Sequence, residues 1–149
     1  NYIQAQGENF TFISKLVDGK YPNYLSVVPQ DLSCWLEVEK DQLKKALNRS
    51  LVLSGDKVSG ITLAMAEKEL IIEALSSEHD KAIEKISICE ASGSFSGTIG
   101  FNALYFLDVL SKIEDSLVKI YFSDSSQSAI IKNYEEKNES LFVIMPMLI

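Results

Sequence analysis

Hydrophobic and polar residues alternate along most of the chain, and a helical spacing interrupts this alternation twice. The first strand-like segment, CWLEVE, precedes a segment whose apolar residues Leu43, Ala46, Leu47 and Leu51 fall on one helical face. Three more alternating segments follow, with short polar turns between them: SGITLAMA, ELIIEALS and KISICE. This order predicts a β-α-β-β-β unit.

The same order of elements recurs about sixty residues further along the chain. After the segment SFSGTIGF, residues Ala103, Phe106 and Leu110 recur at helical spacing, and Asn102 is a suitable N-cap. Three alternating segments complete this second unit: LVKIYFSD, SAIIKN and SLFVIMPM. We therefore predict an α+β fold, a doubled β-α-β-β-β unit with two helices packed on one face of antiparallel sheet. An α+β domain whose halves are alike by chance is the alternative.

Residues 1–30 do not belong to this repeat. Phe10 and Phe12 alternate as in a strand, Asp18-Gly19 is a turn signal, and an extended run ends at Pro29. We interpret residues 1–30 as the terminal strand of a preceding domain followed by an interdomain linker. Residues 31–149 then form the main domain.

Composition and charge narrow the class of protein. A chain of 149 residues with 46% hydrophobic and 23% charged residues is typical of one globular domain. The net charge of −7 argues against a protein that coats nucleic acid with its whole surface. The longest apolar run is nine residues, whereas a membrane span needs about 20, and no basic leader opens the chain. We expect a cytoplasmic protein without membrane contact, in which Cys34 and Cys89 are reduced, buried thiols.

Few residues have the spacing of a catalytic or metal site. His79, the single histidine, lies in the polar turn SSEHDK, and GSFSG at 93–97 has Phe95 where a nucleophile elbow has serine. Glu135 and Glu136 lie in a polar loop segment, and the sequence contains no glycine-rich phosphate loop. We expect no catalytic residue, no metal site and no cofactor, and hence a protein that is not an enzyme.

The first predicted helix concentrates positive charge opposite its apolar face. Four of the chain's 14 basic residues lie there at helical intervals, together with one asparagine: Lys40, Lys44, Lys45, Asn48 and Arg49. Such a face can contact phosphates without reading bases. An ordinary solvated helix face is the alternative.

The most apolar stretch of the chain, VIMPMLI at residues 143–149, contains no charge. A buried last strand and a surface that other proteins bind are both consistent with it. The methionines favour binding, because a flexible, polarisable side chain adapts to several peptides. Pro146 suits a strand edge or a strand end, since it cannot donate a ladder hydrogen bond. The binding hypothesis requires Met145 and Met147 to be accessible.

Three stretches of the sequence resemble one known family. They are FISKLVDGKYPNYLSVVP at 12–29, IGFNALYFLDVL at 99–110 and VIMPM at 143–147. In order and spacing they are similar to signatures of the bacterial DNA sliding clamp, the β subunit of DNA polymerase III. The resemblance implies that residues 31–149 are the clamp's C-terminal (third) domain and that residues 1–30 are the end of the middle domain with its linker.

The resemblance also implies a function and partners. Clamps of this family are homodimeric rings whose helices line a hole around double-stranded DNA, and they tether polymerase without catalysing a reaction. Their partners include the DNA polymerase III catalytic subunit, the clamp loader and repair polymerases, which bind through short linear motifs. By this resemblance the basic face of the first helix faces DNA, and Val52 and Leu53 contact the neighbouring subunit. An unrelated α+β protein-interaction module, with a structural C-terminal strand and no DNA role, is the alternative.

In the family, a groove between the middle and third domains receives those linear motifs. Carried over residue by residue, its wall draws on the linker, the second helix, a neighbouring turn and strand, and the C-terminal stretch: Pro22, Ser26, Val27, Asn102, Tyr105, Ser126, Ser128, Val143, Ile144, Met145, Pro146, Met147 and Leu148. Ser26 and Leu148 stand where the family often has arginine. We therefore expect a more apolar groove rim that attracts acidic peptide residues weakly.

Overall fold

The structure, a computed structural model, describes residues 1–21, 23–29, 32, 34–54, 59–75, 80–93, 97–122, 128–133 and 140–149, without the side chains of residues 53 and 54. The helices are α1 (Lys40–Ser54), α2 (Ala103–Leu110) and a 3-10 helix (Tyr24–Val27). The strands are β1 (Tyr2–Gln6), β2 (Thr11–Lys15), β3 (Cys34–Glu39), β4 (Gly60–Ala66), β5 (Glu69–Leu75), β6 (Lys81–Ser87), β7 (Glu90–Ser92), β8 (Ile99–Asn102), β9 (Leu117–Phe122), β10 (Ala129–Asn133) and β11 (Leu141–Ile144).

Two antiparallel sheets form the main body. Sheet I has the strand order β11-β10-β9-β3-β7, and sheet II has the order β6-β5-β4-β8. Each sheet contains three consecutive strands of one unit and the first strand of the other, because β3 pairs with β9 and β8 pairs with β4. Sheet I also contains the short strand β7, which pairs with β3. The doubled β-α-β-β-β unit predicted from the sequence is confirmed, and its two halves are joined by this exchange of first strands.

The core explains why both helical segments form where they do. The apolar face of α1 buries Leu43, Ala46 and Leu47 completely. The ring of Phe106 on α2 meets the ring of Phe101 edge-on, with centroids 5.3 Å apart. Burying a side chain of this size stabilises the fold by about 1.5–3 kcal/mol. The 3.6-residue periodicity of the sequence therefore reports contacts that the folded chain makes.

The strand boundaries differ from the predicted ones at two places. The segment KISICE does not form one strand, since β6 ends at Ser87 and the separate β7 begins at Glu90. Between them the N–H of Ile88 donates to the carbonyl of Lys68, and the N–H of Cys89 donates to the carbonyl of Glu37. The chain thus passes from sheet II to sheet I at this point. The last predicted strand is also shorter, because β11 ends at Ile144.

The two cysteines have different environments. Both are free thiols. Cys34 is buried, and burial raises the pKa of its thiol. Cys89 is exposed, so the prediction that it is buried is wrong. The physical reason is its place in the crossing between the two sheets, where a hydrogen bond fixes the backbone while the side chain lies outside the hydrophobic core.

Residues 1–30 form elements of their own. Strands β1 and β2 pair in a two-stranded sheet from Tyr2 opposite Lys15 to Gln6 opposite Thr11. Most of their side chains are exposed, among them Tyr2 and Phe12. The assignment of residues 1–30 to a preceding domain and a linker stays a prediction. Within the described residues, no helix is both long enough and apolar enough to cross a bilayer.

Candidate functional site

The C-terminal segment, residues 145–149, lies where the two sheets meet. Strand β11 is one edge of sheet I, and β8 is one edge of sheet II. Beyond Ile144 the chain leaves β10 and reaches β8, where the N–H of Met147 donates to the carbonyl of Gly100 over 2.9 Å. The segment therefore bridges the two sheet edges, and we call this junction the seam.

Gly100 allows the segment to lie this close to β8. A Cβ at this position would overlap the carbonyl oxygen of Met147 and would lie 2.9 Å from Cγ1 of Ile149. Only a residue without a side chain leaves room for another backbone at such a distance. Sequence reasoning did not assign Gly100 a role, although a glycine inside a strand is a known signal of close backbone approach.

Two methionine side chains are accessible at the seam. Met145 is 55% exposed and Met147 is 37% exposed. The hydroxyl of Ser128, a buried residue just before β10, donates to the sulfur of Met145 over 2.8 Å. The accessibility that the binding hypothesis requires is therefore present in the structure.

The start of α2 borders the same seam, because α2 directly follows β8. The side chain of Asn102 accepts a hydrogen bond of 2.9 Å from the N–H of Leu104, so the predicted N-cap is confirmed. This bond occupies the amide oxygen of Asn102. Tyr105 is 57% exposed and points away from the face that buries Phe106 and Leu110.

The remaining residues predicted for the groove have mixed environments. Ile144 is buried in the core, whereas Leu148 is fully exposed. Ser26 and Val27 are exposed on the 3-10 helix, and the hydroxyl of Ser26 donates to the carbonyl of Asn23. Val143 and Pro146 are half-buried, while Pro22 and Ser126 lie outside the described residues.

Some side chains on the basic face of α1 make hydrogen bonds within the protein, which the sequence does not indicate. The ammonium of Lys40 donates to the carbonyls of Ile113 and Glu114, at 2.9 and 3.2 Å. It therefore ties the start of α1 to the segment that follows α2. This bond makes Lys40 a structural residue as well as a member of the basic face.

Arg49 is also engaged, in a bidentate ion pair with Glu84 on β6. Its Nε and Nη2 donate to the two carboxylate oxygens at 2.8 and 2.6 Å. These hydrogen bonds lower the pKa of the Glu84 carboxyl. Among the described residues, Lys44 and Lys45 make no ion pair, and with Asn48 they are the exposed remainder of the face.

The end of α1 presents the residues predicted to contact another subunit. Val52 is 84% exposed, and the backbone of Leu53 lies in α1 while its side chain is outside the description. Strand β6, which lies at one edge of sheet II, adds Ile83, which is 52% exposed. Sequence reasoning missed Ile83, although its alternation with Lys81 and Lys85 could have marked an outward-facing position.

The described residues offer little for catalysis or metal binding. They contain no group of three or more His, Cys, Asp or Glu side chains that could hold a metal ion. Residues His79, Phe95, Glu135 and Glu136, which the sequence analysis weighed for such roles, lie outside the described part. The side chains accessible at the seam are uncharged, among them those of Tyr105, Met145, Met147 and Leu148.

Comparison with known proteins agrees with this architecture. The family described as DNA polymerase III beta subunit, C-terminal domain, matches residues 25–148. The beta sliding clamp of Pseudomonas putida is 37% identical over 147 residues, which are 99% of this chain and 39% of that protein. The chain thus spans about two fifths of the length of the curated relatives that it matches.

Solved structures give the same result. A crystal structure of the Pseudomonas aeruginosa sliding clamp with ligand superimposes with a TM-score of 0.86 at 37% identity, covering 99% of this chain and 40% of that one. The P. aeruginosa clamp bound to griselimycin gives a TM-score of 0.85 at 37% identity, covering 99% and 39%. From its fold and from sequence identity along nearly its whole length, the chain belongs to the DNA polymerase III β subunit family, the bacterial sliding clamps.

Proposed function

We propose that the protein to which this chain belongs is a replicative sliding clamp, a non-catalytic homodimeric ring that encircles double-stranded DNA and holds polymerase on it. Membership of the family and the doubled fold support this proposal. A basic helix face on a chain of net charge −7 also supports it, because sliding needs local phosphate contacts without general affinity for nucleic acid.

Within that protein, we propose that the seam is the docking site for short linear peptides of the DNA polymerase III catalytic subunit, the clamp loader and repair polymerases. The observation that carries this is the exposure of Met145 and Met147 on a segment whose backbone is held on both sides. Pairing of β11 with β10 fixes the chain up to Ile144, and the bond to Gly100 fixes Met147. A preformed apolar surface binds with less loss of conformational entropy than a mobile one.

The chemistry of the seam indicates which peptide residues carry recognition. Tyr105, Met145, Met147 and Leu148 offer apolar or aromatic surface, whereas the hydroxyl of Ser128 is buried beneath it and bonded to the sulfur of Met145. None of these side chains is charged at neutral pH. We therefore propose that apolar peptide residues supply the affinity and that acidic residues contribute little.

For DNA, we propose that Lys44 and Lys45 make most of the contacts of α1. Lys40, Asn48 and Arg49 contribute less, because their side chains already donate hydrogen bonds within the protein: Lys40 to two carbonyls, Asn48 to the carbonyl of Lys44 and Arg49 to Glu84. Two lysines neutralise at most about two phosphates, so DNA binding by this chain alone is weak and sensitive to salt.

For ring assembly, we propose that Val52 and Leu53 contact the neighbouring subunit. The high exposure of Val52 supports this, since an isolated apolar side chain at a helix end loses water when a partner covers it. Sedimentation of the full-length protein carrying Val52→Ala with Leu53→Ala should show fewer rings than the wild type. An unchanged distribution would remove these residues from the interface.

The docking proposal is tested by titrating the 149-residue chain with a fluorescein-labelled, uncharged hexapeptide that contains two leucines and one phenylalanine. Replacement of both Met145 and Met147 by serine should weaken binding by about tenfold or more, because two apolar contacts are lost. Ile83→Ser is the matched control, since Ile83 has nearly the same exposure as Met145 but lies on β6. Equal binding by the double variant and the wild type, or no binding by the wild type, would overturn the proposal.

A further inference from the structure

The three methionines of the chain are distributed unevenly between the core and the surface. Met145 and Met147 are accessible in the C-terminal segment, whereas Met65 on β4 is partly buried and packs against the core. Oxidation of a thioether requires access of the oxidant to sulfur, so exposure governs the rate. An oxidant should therefore reach the two seam methionines before it reaches Met65.

The backbone around these two methionines restricts their withdrawal from solvent. Ile144 is paired with Ala129 directly before Met145, and the N–H of Met147 is bonded to the carbonyl of Gly100. The hydroxyl of Ser128 further fixes the sulfur of Met145. Both methionines are thus held at the surface by the same contacts that support the proposal of a preformed docking site.

We propose that Met145 and Met147 are modification sites for hydrogen peroxide, and that their conversion to sulfoxides switches off peptide docking at the seam. This inference depends on the docking function proposed above. A sulfur lone pair attacks one peroxide oxygen, a sulfur–oxygen bond forms and the oxygen–oxygen bond breaks. The proton on the transferred oxygen passes to the departing hydroxide, so one thioether and one peroxide yield one sulfoxide and one water. Sulfur loses two electrons and peroxide gains them.

The sulfoxide changes the seam from an apolar surface to a polar one. Its oxygen is a strong hydrogen-bond acceptor that holds water, and an apolar peptide side chain cannot replace that water. Docking then leaves a buried acceptor without a partner. We expect the dissociation constant for the peptide to rise by about tenfold or more.

Ser128 gives the oxidation of Met145 a preferred stereochemistry. A thioether sulfur has two lone pairs, and the hydroxyl of Ser128 occupies one of them. The other lone pair is therefore the one that attacks peroxide, and one sulfoxide epimer predominates at Met145. Within the described part of the chain, Met147 has no hydrogen-bond donor at its sulfur, so it should yield both epimers.

The experiment treats the 149-residue chain with dilute hydrogen peroxide, maps sulfoxides by mass spectrometry and titrates the hexapeptide before and after. Met145 and Met147 should oxidise several-fold faster than Met65, and affinity should fall about tenfold. Treatment with two methionine sulfoxide reductases, one for each epimer, should restore the affinity for the hexapeptide. The affinity of a Met145→Leu, Met147→Leu variant should not change on treatment, whatever its starting value.

A second variant tests the stereochemical part. Each methionine sulfoxide reductase reduces one epimer. The reductase specific for the predominant epimer should therefore reduce nearly all of the oxidised Met145 in the wild type. In Ser128→Ala it should reduce only about half, because both epimers then form. If untreated protein binds the peptide and oxidised protein binds it equally well, the inference is wrong while the docking function stands. Oxidation of Met65 as fast as the other two would also overturn it, and absence of binding before treatment would overturn both proposals.

Discussion

The two β-α-β-β-β units hold their helices at equivalent positions, yet the exposed faces of these helices differ. Helix α1 has 15 residues and carries four cations, whereas α2 has eight residues and carries none. Their buried faces are alike, since each places three apolar residues in the shared core: Leu43, Ala46 and Leu47 on α1, and Ala103, Phe106 and Leu110 on α2. Packing thus constrains the buried faces of both helices in the same way, whereas the exposed face carries positive charge in one unit and borders the proposed docking site in the other.

The largest effect should come from the buried face of α2. Phe106→Ala should lower the free energy of unfolding by about 3–5 kcal/mol, because the fully buried ring leaves a cavity. Tyr105→Ala, one position earlier, should change the free energy of unfolding by less than about 0.5 kcal/mol, but it should lower the affinity for the hexapeptide. Chemical denaturation and titration measure the two quantities. If both variants lose stability equally, α2 does not divide into a core face and a docking face.

The next effect concerns the close backbone approach at Gly100 in the second unit. In Gly100→Ala the new methyl group overlaps the backbone at Met147, so the C-terminal segment must move away from β8. We expect a loss of about 1–3 kcal/mol in stability, as for other overpacked sites, together with weaker peptide binding. Thr62→Ala is the control, because Thr62 lies opposite Gly100 on β4. Wild-type stability and binding in Gly100→Ala would contradict the role given to the glycine.

A smaller effect is expected when the lysines of α1 are replaced, and it should distinguish the lysines proposed to contact DNA from the lysine that stabilises the fold. Lys44→Ala with Lys45→Ala should lower affinity for double-stranded DNA and reduce the slope of log K against log salt by about 1.8, at about 0.9 per phosphate. Lys40→Ala should instead cost about 1 kcal/mol of stability, since its hydrogen bonds to Ile113 and Glu114 are lost. Fluorescence anisotropy over a salt series and thermal unfolding give these values. An equal change of slope in Lys40→Ala would remove the distinction.

The smallest effect should come from adding positive charge, of the kind that α1 carries, to the proposed docking surface. Leu148→Arg with Ser26→Arg should strengthen binding of a hexapeptide with two added aspartates by up to about 1 kcal/mol, and only at low salt. The uncharged hexapeptide serves as the control, and its affinity should stay the same. An equal gain for both peptides would show that the arginines act through packing rather than charge.

Local pattern was enough to predict the fold class and the core. The spacing of Ala103, Phe106 and Leu110, with Asn102 before them, predicted α2 and its N-cap, since these depend on neighbours within one turn. Alternation also predicted most of the strands. It could not predict that the strands divide between two sheets, because pairing joins residues far apart in sequence.

The residues of the candidate site could be proposed from the sequence, whereas the contacts that hold them in place could not. The uncharged stretch 143–149 led to the docking hypothesis, and Met145 and Met147 have the accessibility that this hypothesis requires. The bond from Met147 to Gly100 has no local signal apart from the glycine. The same holds for Lys40 and Arg49, whose partners lie on the segment after α2 and on β6. A sequence pattern shows that a cation is on a helix face, but not which distant carbonyl or carboxylate it meets.

The exchange of first strands between the units has a consequence for a polypeptide that contains only one unit. Such a polypeptide would pair three of its strands with one another, but its first strand would have no partner in that sheet. Two copies would complete each other by exchanging their first strands, as in a domain-swapped pair with two-fold symmetry. In the present chain the two units are joined covalently, so the exchange takes place within one polypeptide.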